Sequence, residues 1–168
     1  VLAALLALGI ATTAAGAATS DYRAEGRAGG GDRATAVAVA HALLAQPLAL
    51  QLTRVRCERA AGHDFCGLSL SGVKFKQRVD TAAFTAEVDG LVRGAFAVDP
   101  AIAEVDLWVS VPADSGKGTV ASGDFALPTA ATVYTITVPR AQANRPDVGT
   151  NVFWDPVFQR ELAAGSLG

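Results

Sequence analysis

The chain has no methionine, only two cysteines (Cys57 and Cys66) and only two histidines (His41 and His63) among its 168 residues. With so few soft or imidazole ligands, no H-x-H, HExxH or paired CxxC spacing occurs, and zinc has little to bind to. Net charge is small, −2 at pH 7, which gives no global attraction to nucleic acid or to an anionic membrane. A phosphate-cradling loop is also missing. Asp114-Ser115-Gly116-Lys117-Gly118-Thr119 has Pro112 where the first glycine of that motif belongs and Gly118 where a Ser or Thr should follow the lysine. Without a methionine the chain starts at Val1, read here as a non-standard start or a clipped N-terminus, and Ala163-Ala164-Gly165-Ser166-Leu167-Gly168 is read as an end equally open to continuation.

What is present is apolar material, 51% of the residues against 18% charged, enough to build a core for one domain. Val1 to Ala18 carries no charge and passes from an aliphatic run into the small residues Ala14-Ala15-Gly16-Ala17-Ala18. That is the pattern of a secretory signal peptide over 1–18, cut after Ala17 or Ala18. The alternative is a retained membrane anchor, the one route by which this chain would meet a membrane, although the Ala/Gly/Thr half is weak membrane material. No cysteine lies near the junction, which excludes a lipid-modified N-terminal cysteine. Residues 19–32, with Gly26, Gly29, Gly30 and Gly31 among charges, read as a flexible linker, and 33–168 as a single domain.

The spacing predicts a helix over 33–46 with Asp32 as N-cap and Val37, Ala40 and Leu44 on its inner face, stopped by Pro47. Residues 48–59 and 65–78 read as a hairpin. Pairing Cys57 with Cys66 sets its register, placing Val55 opposite Leu68, Leu50 opposite Val73 and Leu48 opposite Phe75. The apolar face changes parity between Leu52 and Val55, which predicts a bulge, expected at Ser71-Gly72. Asp80 opens a second helix carrying Phe84, Val88, Leu91, Val92 and Ala95. A strand follows in which Val105, Leu107 and Val109 alternate with Glu104, Asp106 and Ser110, and then a long loop over 112–128. Strand 132–138 and a last helix capped by Asp155-Pro156 complete the order α-β-β-α-β-β-α. The expected fold is an α+β two-layer sandwich, with a mostly antiparallel four-stranded sheet and helices on one side.

The two cysteines fit a disulfide in an oxidising compartment, and with the N-terminal segment they indicate a periplasmic or secreted protein. His63-Asp64-Phe65-Cys66 brings base, acid and thiol together in sequence, the basis of an alternative reading as an extracytoplasmic hydrolase. Glu104 and Asp106 at i, i+2 read as a solvated strand face, and His41 as a half-buried packing residue. Charge is unevenly distributed: residues 51–78 hold six basic side chains against two acidic, and 79–128 eight acidic against two basic. Arg54, Arg56, Lys74, Lys76, Arg78 and Trp108 therefore form the candidate binding surface, unless Trp108 is packed under Phe153-Trp154, its natural cover. The resulting expectation is a non-catalytic binding or assembly module of the bacterial envelope, acting without a cofactor on another envelope protein, and not on nucleic acid. A carrier of a small apolar ligand held between sheet and helices is the remaining alternative.

Overall fold

The computed structural model describes residues 23–72, 79–112 and 130–165. The expected signal segment 1–18, the lysines and arginine at 74, 76 and 78, and most of the 112–128 loop lie outside the described residues. The elements are α1 (residues 23–27), β1 (Ala28–Gly29), α2 (Arg33–Leu44), β2 (Gln51–Ala60), β3 (His63–Ser71), α3 (Thr81–Val98), β4 (Ile102–Pro112), β5 (Ala130–Pro139), β6 (Thr150–Trp154) and α4 (Pro156–Ala163). The fold is α+β, but its sheet has six strands, in the order β1-β2-β3-β4-β5-β6, and it is mixed.

Two features separate this from a four-stranded antiparallel sheet. First, β3 and β4 run parallel, because α3 intervenes. Its eighteen residues rise about 27 Å, enough to carry the chain back along the whole strand before the next one begins. Second, two strands form where turn-like composition predicts none. β6 pairs antiparallel with β5 at the far edge, and β1 pairs parallel with β2 at the near one. The stretch 19–32 is accordingly not all linker: Ala24 is fully buried, and the Arg27 guanidinium donates to the Leu52 carbonyl at 2.8 Å. Two of its glycines, Gly30 and Gly31, serve close approach. Gly30 has φ +97°, and a Cβ there would lie 2.3 Å from the Cys57 carbonyl oxygen.

The hairpin β2–β3 keeps the register that the cysteines dictate, with Cys57 opposite Cys66 and Val55 opposite Leu68. A two-residue turn joins the strands, with φ +50° at Ala61 and +82° at Gly62, the handedness that matches strand twist. The parity change is accommodated at Thr53 and not at Ser71-Gly72: the ladder shifts between Leu52 and Arg54, so Leu52 faces Leu70 and both are buried. Val73 and Phe75, the expected partners of Leu50 and Leu48, lie outside the described residues.

One core lies between the sheet and the helices. Val55, Leu68, Leu107, Val109, Ile136 and Val138 point inward from the strands, against Ala36, Val39, Ala40 and Leu43 of α2 and Phe84, Val88, Leu91, Val92 and Ala95 of α3. In α2 the buried stripe is rotated by one position from the expected one, leaving Val37 and Leu44 half-buried and His41 exposed. Asp32, Asp80 and Asp155 cap α2, α3 and α4 through carboxylate bonds to the first-turn amides. Side chains also bind loops. Glu87 accepts from the Ala49 and Leu50 amides at 2.9 and 2.8 Å, fixing the entry to β2, and Arg140 donates to the carbonyls of Phe96, Asp99 and Ile102 while lying 4.8 Å from the Phe96 ring centroid.

Candidate functional site: the open face of the sheet

Strand alternation sends every second side chain away from the helices. On that face, adjacent strands line up in rungs: Arg54, Ser69 and Trp108 in one, Arg56, Gly67 and Asp106 in the next, then Glu58, Phe65 and Glu104. The rows continue over Thr135 and Thr137 of β5 to Phe153 of β6. Trp108 and Phe65 are each 40% exposed and Phe153 46%. A shallow depression of about 330 Å³ opens here between Arg54, Arg56, Phe65, Gly67, Asp106 and Trp108. Phe153-Trp154 does not cover Trp108: Phe153 stands two strands away, across Thr135, while Trp154 turns to the helix side against Tyr134 and Phe158.

Gly67 shapes the depression. A Cβ at this position would come within 2.8 Å of the Trp108 ring, so the indole edge lies over bare backbone. The charges around it differ in how they are engaged. Arg56 binds Glu58 at 2.9 Å, and that bond, with the Gly31 amide at 2.8 Å, holds the Glu58 carboxyl below its usual range. Asp106 accepts from the Thr137 hydroxyl but has no cationic partner among the described residues, and neither Arg54 nor Glu104 takes part in an ion pair there. Arg54, Arg56 and Trp108 are thus brought together, with Glu104 and Asp106 on the same face.

The His63-Asp64-Cys66 set does not assemble. Cys66 is bonded to Cys57, so no thiolate is available. His63 is exposed at the hairpin end, whereas the Asp64 side chain is 0% exposed and turned into the core layer. Both Asp64 oxygens are held by Arg59, at 2.9 and 2.7 Å, and the Thr35 hydroxyl lies at 3.4 Å. Arg59 also reaches the α2 cap Asp32 at 3.1 Å, so this cluster ties the start of α2 to the hairpin. The Arg59 bonds depress the Asp64 pKa against the opposing effect of burial. Because the folded value lies below the unfolded one, this stabilisation is complete above the ordinary carboxylate pKa near 4 and is lost as pH falls through the folded value. Arg59→Ala is expected to lower the melting temperature at pH 7 more than Asp64→Asn, since it strands a buried carboxylate, and to flatten the decline below about pH 4. Equal melting curves at pH 3 and 7 for the unaltered chain would contradict the account.

Among the described residues no group of three His, Cys, Asp or Glu side chains could hold a metal ion, and no helix is long and apolar enough to cross a membrane. A second open depression, about 440 Å³, lies at the other end of the hairpin between Arg23, Arg27, Leu44, Leu48 and Leu52. Between sheet and helices lie the buried side chains of the core. Compared with protein-family models, with curated proteins and with solved structures, the chain matches none of them.

Proposed function

We propose that this chain is an exported, non-catalytic binding or assembly module of the bacterial cell envelope, freed of residues 1–18 and held in the periplasm or secreted. The observation that carries the reading is the open sheet face, where Trp108 and Phe65 flank a depression edged by Arg54 and Asp106. A soluble domain gains nothing in its own core from large aromatic rings left there, and such rings among charges are the composition of contact surfaces. The disulfide fits an oxidising compartment and supports the export half of the reading.

A photoreactive residue at Ser69, in the middle of the face, is compared with one at Ala86, on the outer surface of α3, in cells that export the chain. Covalent adducts to a protein are expected from position 69 and not from 86. Equal labelling, or none from 69, would refute the contact face. The intact mass of the exported protein checks the rest: loss of the first 17 or 18 residues is expected, and a full-length mass would establish an anchor instead.

A further inference from the structure

We infer that the depression bounded by α1, the end of α2 and the start of β2 is a binding site for an anionic amphiphile, a carboxylate or phosphate head on an aliphatic chain. It is built from residues that the open face does not use, so the two readings stand or fall separately.

The sign of the head group follows from the lining. Arg23 and Arg27 are the charged side chains of the depression, and no carboxylate lines it. They are four residues apart on α1, which sets them on the same side of that helical turn. Arg27 is already oriented. Its Nε donates to the Leu52 carbonyl at 2.8 Å and its Nη1 to the Arg23 carbonyl at 3.0 Å, which leaves Nη2 without a partner among the described residues. Arg23 takes part in no ion pair among them. A guanidinium held by two backbone carbonyls has already lost much of its freedom, so an oxyanion gains a charge-assisted bond at little further cost in entropy. Gln46 and Gln51 add carboxamide donors to the same depression.

The chain follows from the rest of the wall. Leu44, Pro47, Leu48, Leu50 and Leu52 are aliphatic, and no aromatic ring lines the depression, so it offers no stacking platform for a base or a sugar. Leu50 and Leu52 are buried, whereas Leu44 and Leu48 keep part of their surface open. The loop carrying Leu48 and Leu50 is pinned to α3, because the Glu87 carboxylate is engaged by the Ala49 and Leu50 amides at 2.9 and 2.8 Å. The wall is therefore formed before a ligand arrives. Its volume of about 440 Å³ lies within the roughly 300–1,000 Å³ of small-molecule sites. Inorganic phosphate would engage the arginines alone, and an uncharged alkane the leucines alone. A molecule with both parts uses the whole wall.

The test is isothermal titration calorimetry of the purified chain with sodium decanoate, with amide shift changes followed on isotope-labelled protein. Saturable binding with a Kd below about 1 mM is expected, with shifts gathered at residues 23–27 and 44–52. Affinity should rise about two- to fourfold per methylene from octanoate to dodecanoate. Decyltrimethylammonium, with the same chain and the opposite charge, should bind about tenfold more weakly or worse. Arg23→Gln, at an exposed position, should weaken decanoate binding about three- to tenfold, with circular dichroism verifying its fold. The ligand series itself needs no variant. Absence of saturable binding, equal affinity for the two head groups, no gain with chain length, or shifts centred on Phe65 and Trp108 would each overturn the inference. A free fatty acid and the acyl chain of an anionic lipid present the same chemistry, and vesicles of phosphatidylglycerol separate them. Co-sedimentation that decanoate competes away assigns the site to a lipid chain in a bilayer, and decanoate binding without co-sedimentation assigns it to the free amphiphile.

Discussion

Phe84→Ala is expected to cost about 3–5 kcal/mol of folding stability, more than any other single truncation in this domain. The ring is 1% exposed and sits where four parts of the fold converge. Its centroid lies 5.3 Å from Tyr134 on β5, 5.3 Å from Trp154 on β6 and 5.5 Å from Phe158 on α4, at angles of 89°, 55° and 75°. These edge-to-face and tilted geometries add specific attraction to the burial of apolar area. Alanine would remove the ring and leave a cavity between α3, the far edge of the sheet and the terminal helix. Those neighbours are themselves rigid aromatics and cannot close it. A loss of this size is a large share of the stability of an ordinary domain and should lower the melting temperature by about 10 °C or more. The near-ultraviolet dichroism of Tyr134 and Trp154 should collapse with it, since their fixed orientation depends on the missing ring. Phe84→Leu keeps most of the volume and should cost less than about 2 kcal/mol. An alanine variant that melts within 2 °C of the unaltered protein would show that this cluster does not hold the C-terminal third in place.

That cluster also shows which parts of the fold could be read from the sequence. Phe84, Val88 and Leu91 announce a helix because a buried face repeats with helical period, and both Asp80 and Asp155 stand where a cap must be. The partners of Phe84 were harder to see. Trp154 closes a five-residue strand with no clean alternation, following a stretch rich in Pro, Asn and Gly, so neither its pairing with β5 nor its turn toward the helices is signalled locally. The parallel pairing of β3 and β4 is likewise a property of the long helix between them and not of either strand's own pattern.

For the candidate site the position differs. The expectation that Trp108 points away from Val105, Leu107 and Val109 follows from the pleat alone, and so does the sharing of a face by Glu104 and Asp106. The depth of Asp64 is legible too. The register that pairs Cys57 with Cys66 also sets Arg59 opposite Asp64, and strand parity puts Asp64 on the same side as Cys66 and Leu68. An acid on the inward face with an arginine directly across the ladder is a built ion pair before it is a catalytic one. The role of Gly67 beneath Trp108 depends on a diagonal contact between neighbouring strands, for which the sequence carries no mark.

Reducing the Cys57–Cys66 bond, or replacing both residues by serine, is expected to lower stability by about 2–3 kcal/mol. The bond closes a short loop, so the entropy it removes from the unfolded chain is modest. The buried setting of both sulfurs adds to the loss, because two serine hydroxyls would need hydrogen-bond partners in a layer formed by Val55, Leu68 and Val105. Replacement by a pair of alanines or valines separates these contributions, as it removes the cross-link without burying a hydroxyl. Chemical denaturation should therefore rank the unaltered protein above the alanine pair and the alanine pair above the serine pair. The consequence reaches the open face. Cys57 lies between Arg56 and Glu58 on β2, and Cys66 between Phe65 and Gly67 on β3, so the bond fixes the rungs that display the arginines beside Trp108. Loosening it should raise hydrogen exchange in β2 and β3 before α3 is affected, since the far half of the sheet is held by the Phe84 cluster. If exchange rose uniformly, the staple would serve global stability alone. If it rose first in the hairpin, the oxidised state would be what keeps the contact face in register.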